Sequence, residues 1–256
     1  PTFELVETYY SKNGLPMDAD PETKGLDLYK MDPDKETALL HLNREPRFYA
    51  TILYNGADWM GRKIESFVGG KDGYKAYENA GAAGTTVTGY YLRKYLIDGD
   101  KTWVTSGSGQ DWIVLRYAEV LLNKAEALAM ENWNKNSAEA LQALNDVRAR
   151  VGLPARATAD KETFLEYVRH ERKVELAGEG FRYWDLRRWR LAEKVIDGQN
   201  VHGVKISKQS DGSFTYEQVD ADGGHKRIFY DRYYRFAIPL SERSNNSLCT
   251  NNDGWI

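Results

Sequence analysis

The rhythm of hydrophobic and polar positions changes twice along the chain. Over residues 1–110 apolar side chains come in short groups, cut by Asn13-Gly14, Asn55-Gly56, Gly69-Gly70, Asp72-Gly73 and Asp98-Gly99. So many breakers exclude long helices there and leave strand-like pieces, 48–54 and 90–97, between loops. From residue 111 the spacing turns helical. Asp111 stands where it can cap a helix reaching about Met130. On that helix Ile113, Tyr117, Leu121 and Leu128, with Ala118, Leu122, Ala125 and Ala129, cover more than half the circumference, and Arg116, Glu119, Asn123 and Glu126 form a narrow polar stripe. A second helix follows Asn136 or Ser137, turns Leu141, Leu144, Val147 and Val151 inward, and stops at Gly152 and Pro154. A third starts after Asp160, carries Phe164, Leu165, Val168 and Leu176 as apolar positions, and is interrupted near Gly178 and Gly180. A fourth runs from about Phe181 to Val195. After residue 198 strand and loop return, with 204–208 and 213–219 flanking 209–212 as a hairpin.

Helix pairs with short connectors, and alanines where neighbouring helices meet, point to tetratricopeptide-like packing, although no repeat is visible as self-similarity. The pattern therefore predicts a mainly α fold. A helical scaffold (111–197) carries a loop-rich, ligand-side segment (1–110), and a hairpin and closing tail (198–256) complete a single region.

Composition narrows the function. The chain has 256 residues, of which 41% are hydrophobic and 29% charged, enough to form a core without disulfides or metal. A net charge of −3 argues against a nucleic-acid partner. Apolar runs are too short to span a bilayer. Cys249 is the single cysteine, and His41, His170, His202 and His225 form no metal-ligand spacing. No cofactor is implied. Tyrosine and tryptophan are abundant, at 17 and 7. Both present an apolar body with a polar handle, which suits a wet recognition surface as well as a core.

The densest charged cluster lies between His170 and Trp189. Glu171 and Glu175 share a helix face, and a pair of carboxylates is what glycoside hydrolysis requires. Arg172, Arg182, Arg187 and Arg188 stand close enough in sequence to pair with them, which lowers a carboxyl pKa and favours a structural ion-pair network over an acid catalyst. No nucleophile elbow is present, and Gly81-Ala82-Ala83-Gly84 lacks what a phosphate loop needs. Asp18, Asp20, Asp32 and Asp34 lack calcium-loop spacing and read as solvated acids. The aromatic loops remain: Tyr54, Trp59, Tyr74, Tyr77 and Trp103 sit beside turn sequences. Sugar rings have apolar faces and polar edges, so these five are the candidate ligand-binding residues.

Several segments together resemble the RagB/SusD family. They are Pro1-Thr2-Phe3-Glu4-Leu5-Val6 with Lys12-Asn13-Gly14-Leu15-Pro16; Asn43-Arg44-Glu45-Pro46-Arg47-Phe48; Arg116-Tyr117-Ala118-Glu119-Val120-Leu121-Leu122; Leu144-Asn145-Asp146-Val147-Arg148-Ala149-Arg150; the 171–189 run; and Ile238-Pro239-Leu240-Ser241-Glu242 with Asn251-Asn252-Asp253-Gly254-Trp255. Glu45 stands where the family motif has Asp, and the tail departs at Asn251 and Asp253. The resemblance is to a C-terminal portion of longer family members. It implies a non-enzymatic, lipid-anchored protein on the extracellular face of the outer membrane. Such a protein binds oligosaccharides and hands them to a SusC-like TonB-dependent transporter, and the N-terminal lipid anchor is expected outside this chain. The matched motifs are expected to set the fold rather than touch ligand, with Arg47 anchoring a loop through backbone bonds. Two rival readings stand beside this one: a tetratricopeptide-type protein-interaction module with no glycan ligand, and a glycoside hydrolase.

Overall fold

The computed structural model describes residues 1–32, 34–75, 85–100 and 109–255. Its two longest helices make the scaffold. α3 (Tyr117–Arg150) is kinked at Asn132, whose φ of −161° and ψ of 94° leave the helical region. The Asn132 side chain accepts from the Lys135 amide, which starts the second segment as a capping residue does. The break expected between the first two helices is therefore a kink inside one element. α4 (Lys161–Glu175) begins where expected, with Asp160 accepting from the Thr163 amide at 2.7 Å. Ala118, Leu122, Ala125, Ala129, Ala140, Ala143, Leu144 and Val147 of α3 pack against Phe164, Leu165 and Val168 of α4. Small side chains on one helix let the larger ones of the other fill the gap.

Two expectations on the scaffold need correction. Residues 111–116 are not helical, and α3 starts at Tyr117. Arg116 is extended and sends its guanidinium to Glu175 and Glu179, at 2.6 and 2.8 Å. Trp112, Val114, Leu115 and Tyr117 are exposed, so only the alanine and Leu122 side of the apolar arc is buried. The expected fourth helix is two: α5 (Phe181–Arg188) and α6 (Ala192–Ile196), separated at Arg190, whose φ of 55° no helix continues.

The other helices are short: α1 (Phe3–Thr8), α2 (Pro46–Thr51) and α7 (Leu240–Asn245). Pro46 at the first position of α2 presets φ and converts the start of the expected strand 48–54 into a helix. Strands pair only in antiparallel twos among the described residues: β1 (Met31–Asp32) with β2 (Thr37–Ala38), β3 (Ile52–Leu53) with β6 (Tyr91–Leu92), β4 (Asp58–Trp59) with β5 (Arg62–Lys63), and β7 (His202–Lys208) with β8 (Phe214–Asp220). The last pair is the expected hairpin, in register from His202 opposite Asp220 to Lys208 opposite Phe214.

A second core joins these pieces to the scaffold. Phe3, Val6, Tyr9, Leu40, Phe48, Ile52, Tyr90, Val204 and Ile206 enclose Val174 of α4. Loop and hairpin approach closely at two glycines: a Cβ on Gly203 would lie 2.4 Å from Thr88 Cα, and one on Gly89 would lie 2.3 Å from the Val204 carbonyl oxygen. His41 sits inside this core, its Nδ1 2.8 Å from Thr37 Oγ1 and its Nε2 3.0 Å from Tyr90 Oη. Its ring stacks on Tyr54 at 4.7 Å. Asp20, expected in solvent, is buried instead. It accepts from Ser11 Oγ, Asn13 Nδ2 and the Glu22 amide and so ties the 11–22 loop together.

Burial pushes His41 down to about 3. Burial, and then the charges of Arg47, Arg156, Lys173 and Arg148, push His170 down to about 3 as well. The unfolded chain takes up these two protons near pH 6.5, as ordinary histidines do, whereas the fold resists them until about 3. The unfolded state thus holds more protons between these values. Stability is complete above pH 6.5 and is expected to fall below it, by about 1.4 kcal/mol per pH unit for each ring. Urea midpoints at pH 7 and pH 5 measure this; equal midpoints would show that the folded rings accept protons.

Candidate ligand-binding site

The Asn43–Phe48 motif positions everything near it. Asn43 takes a φ of 54°, which asparagine tolerates better than most residues. Arg44 donates from Nε to the Leu40 carbonyl and from Nη1 to the Tyr9 carbonyl, both at 2.7 Å. Arg47 was expected to bind backbone; that role belongs to Arg44. Arg47 instead meets three carboxylates: Glu45 at 2.6 Å, Glu171 at 2.5 Å and Glu175 at 3.0 Å.

The network extends outward from there. Arg148 reaches Glu171 at 3.0 Å, Arg150 reaches Glu175 at 2.7 Å, and Arg116 and Lys94 hold Glu179. Farther along, Arg172 and Arg188 share Asp185 at 2.8 and 2.9 Å, and Arg188 with the Trp189 indole holds Glu126. The ion-pair reading of the 170–189 run thus holds, but Glu171 and Glu175 take their partners from distant segments. Arg187 turns to the Tyr233 and Tyr234 carbonyls instead. The polar stripe of α3 faces this network: Asn123 accepts from Arg172 at 2.6 Å.

Such an arrangement is poorly suited to acid catalysis. Burial raises the Glu175 carboxyl, but the Arg116 hydrogen bond and the charges of Arg47, Arg116 and Arg150 outweigh it and hold Glu175 below the ordinary range. A glycosidase acid needs the opposite displacement.

A cavity of about 590 Å³ opens on the network itself, lined by Arg47, Arg116, Arg150 and Glu175. A more apolar one lies elsewhere. It measures about 620 Å³ and is floored by Leu53, Ile64 and Leu92, with Trp59 and Tyr91 as its aromatic members and Leu96 and Ile97 beside them. Four segments converge there: β3, the β4–β5 hairpin, β6 and the 93–100 loop. Met60 and Gly61 form the hairpin's two-residue turn, with φ of 54° and 75° at its two positions. Methionine is not suited to a left-handed backbone, and neighbouring groups hold it there. Asp98 accepts from the Met60 amide at 2.7 Å, and Met60 Sδ accepts from the Gly99 amide at 3.0 Å. That clamp fixes the turn beside Trp59. Arg93 places its guanidinium 5.5 Å from the Trp59 ring centroid.

Polar groups sit on the same cavity. Arg62 grips Asp72 through two bonds of 2.6 Å, and Asp72 also accepts from the Glu65 amide. Tyr91 Oη donates to the Asp72 carbonyl at 3.0 Å. The Arg62 bond holds the Asp72 carboxyl below its usual range, so this acid stays ionised. The cavity offers apolar and aromatic surface with fixed hydrogen-bonding groups, the combination that suits a ligand with greasy faces and polar edges.

Of the five aromatic candidates, Trp59 lines the cavity. Tyr54 packs its ring against both His41 and Phe48 in the core contacts. Tyr74 forms a bridge with Thr86 and is not part of the lining. Tyr77 and Trp103 lie outside the described residues. Tyr91 was missed. Its signal was the 90–97 strand, whose partner strand carries Leu53 to the cavity floor.

Fold and site together describe a mainly α scaffold protein whose loops frame an aromatic cavity and whose principal acids are engaged by arginines. The SusD family model matches residues 1–255. A SusD-like protein of Formosa agariphila is 32% identical over 133 residues, 48% of this chain and 25% of that protein. A crystal structure of a SusD-like protein from Bacteroides fragilis superimposes with a TM-score of 0.77 at 26% identity, over 100% of this chain and 47% of that one. A SusD-like carbohydrate binding protein from the same species superimposes at 0.67 with 28% identity, over 95% and 47%. The chain belongs to the SusD family. It spans less than half the length of these relatives.

Replacing Arg47 with Met would leave Glu45, Glu171 and Glu175 crowded in a dry site. The expected loss is about 3–5 kcal/mol, as for other broken buried ion pairs, read as a lowered urea midpoint. A loss below about 1 kcal/mol would show that the other arginines carry the network without it.

Proposed function

We propose that this chain forms the ligand-holding part of a non-catalytic surface glycan-binding protein that passes oligosaccharides to a TonB-dependent transporter. The observation that carries the proposal is the open cavity in which Trp59 and Tyr91 stand over an apolar floor with Arg62 and Asp72 fixed nearby. An indole face takes the CH face of a sugar ring, and fixed charged groups bond its hydroxyls. The carbohydrate-binding description of one B. fragilis relative supports this reading. Family membership supports the proposed transporter partner, lipid anchor and outer-membrane location. Absence of catalysis is supported by the direction in which Asp72 and Glu175 are displaced, toward the ionised form.

Trp59→Ala is expected to weaken binding of a soluble oligosaccharide tenfold or more, about 1.4 kcal/mol. Calorimetry with the best ligand from a glycan array reads this, and the thermal midpoint confirms that the variant is folded. Unchanged affinity in both Trp59→Ala and Tyr91→Ala would dispose of this site. Release of reducing sugar from a polysaccharide panel would dispose of the non-catalytic reading.

A further inference from the structure

Most buried or half-buried cations are well partnered, by an acid or, as for Arg44 and Arg187, by two or more backbone carbonyls. Arg47, Arg116, Arg148, Arg172 and Arg188 each have a carboxylate within 3.0 Å. Lys173 and Arg182 break this rule. Both are partly buried, and neither has a carboxylate within 4 Å among the described residues. Lys173 Nζ donates only to the Glu4 carbonyl, at 3.5 Å. Burial, and then the nearby Arg182 charge, push Lys173 down to about 8, and burial pushes Arg182 below its ordinary value.

Both side chains line one cavity of about 420 Å³, framed by α1, α4, α5 and α6, and Lys194 and Arg169 line it too. Two acids share its wall, Glu7 and Glu166. Glu166 is taken up by Arg169 at 2.6 Å, which leaves Lys173, Arg182 and Lys194 with Glu7 in the wall, while Glu4 near Lys173 and Asp185 near Arg182 are already bonded to His202 and to Arg172 and Arg188. Positive excess in this cavity runs against the chain's net charge of −3. His170 lines the same cavity, stacked on Tyr10 at 3.9 Å, and its buried Nε2 has no hydrogen-bond partner. Half-buried cations without counter-charges cost desolvation energy unless something supplies the missing charge.

We infer that the cavity lined by Lys173, Arg182 and Lys194 is an oxyanion-binding site, taking the sulfate ester or carboxylate of an acidic glycan or a free inorganic oxyanion. Guanidinium and ammonium groups meet such oxygens through charge-assisted hydrogen bonds, and a forked arginine adds geometric selectivity. The site shares no residue with the Trp59 cavity and stands independently of neutral-sugar binding there.

The test uses calorimetry at constant ionic strength, with sodium sulfate in the low millimolar range, sulfated maltohexaose and unsulfated maltohexaose as probes. The variants are Lys173→Met and Arg182→Met, which keep the apolar stems, with Lys24→Met, an exposed lysine outside both cavities, as the control for loss of one positive charge. Saturable sulfate binding that falls tenfold or more in Lys173→Met and Arg182→Met and is unchanged in Lys24→Met is the expected result. If sulfated maltohexaose competes with sulfate and shows the same losses, the natural source is a glycan ester; if only sulfate binds, it is a free oxyanion. Lys173→Met and Arg182→Met are expected to match or exceed the parent's thermal midpoint in sulfate-free buffer, since each removes a poorly compensated charge. Absence of saturable binding by either anionic probe, or equal binding by Lys173→Met and Arg182→Met, would overturn the inference.

Discussion

The structure turns on one guanidinium. Arg47 is buried, and its three carboxylate partners come from its own motif and from α4, 124 and 128 residues away. Through it the loop-rich segment is tied to the helical scaffold. The consequence travels along the chain. α2 leads straight into β3, β3 pairs with β6, and these two strands supply Leu53, Tyr91 and Leu92 to the cavity. The Thr51 carbonyl accepts from the Arg93 amide at 2.7 Å and extends the pairing toward the 93–100 loop. Buried ion pairs contribute little net stability once desolvation is counted, but a shifted register here would strand a charge. We regard the network as a device that holds the loops in one placement.

The same accounting explains how charge is distributed over the molecule. Arginines around α4 neutralise its acids and hold Glu175 ionised, so that helix presents structure rather than acid chemistry. The cavity's Asp72 is likewise committed to Arg62. The cavities differ accordingly: the one beside Trp59 is mostly apolar, and the one beside α6 is lined by Lys173, Arg182 and Lys194 with Glu7.

One strained residue stands at the cavity. Met60 sits in a left-handed conformation at the tip of the β4–β5 hairpin and is held by Asp98 and Gly99 from a separate loop. The turn residues at 98–99, which break the pattern in sequence, thus do a second task in space. Likewise Tyr54, a plausible ligand residue by its setting in the sequence, spends its ring on His41 and Phe48, because β3 carries it into the core contacts.

Much of this was legible in the amino-acid order. The Asp160 cap, the alanine face of α3, its interruption near Asn132 and the hairpin around 209–212 all rest on short-range rules of period, capping and turn geometry, whereas the family motifs were read from resemblance. Those rules act between residues a few positions apart, so they can be read from spacing. The start of α3 at Tyr117, the break at Arg190, the partners of Glu171 and Glu175, and the meeting of Trp59 with Tyr91 were decided only in three dimensions. Each depends on a side chain finding a group tens of residues away, and such a pairing leaves no periodic trace in the chain that makes it.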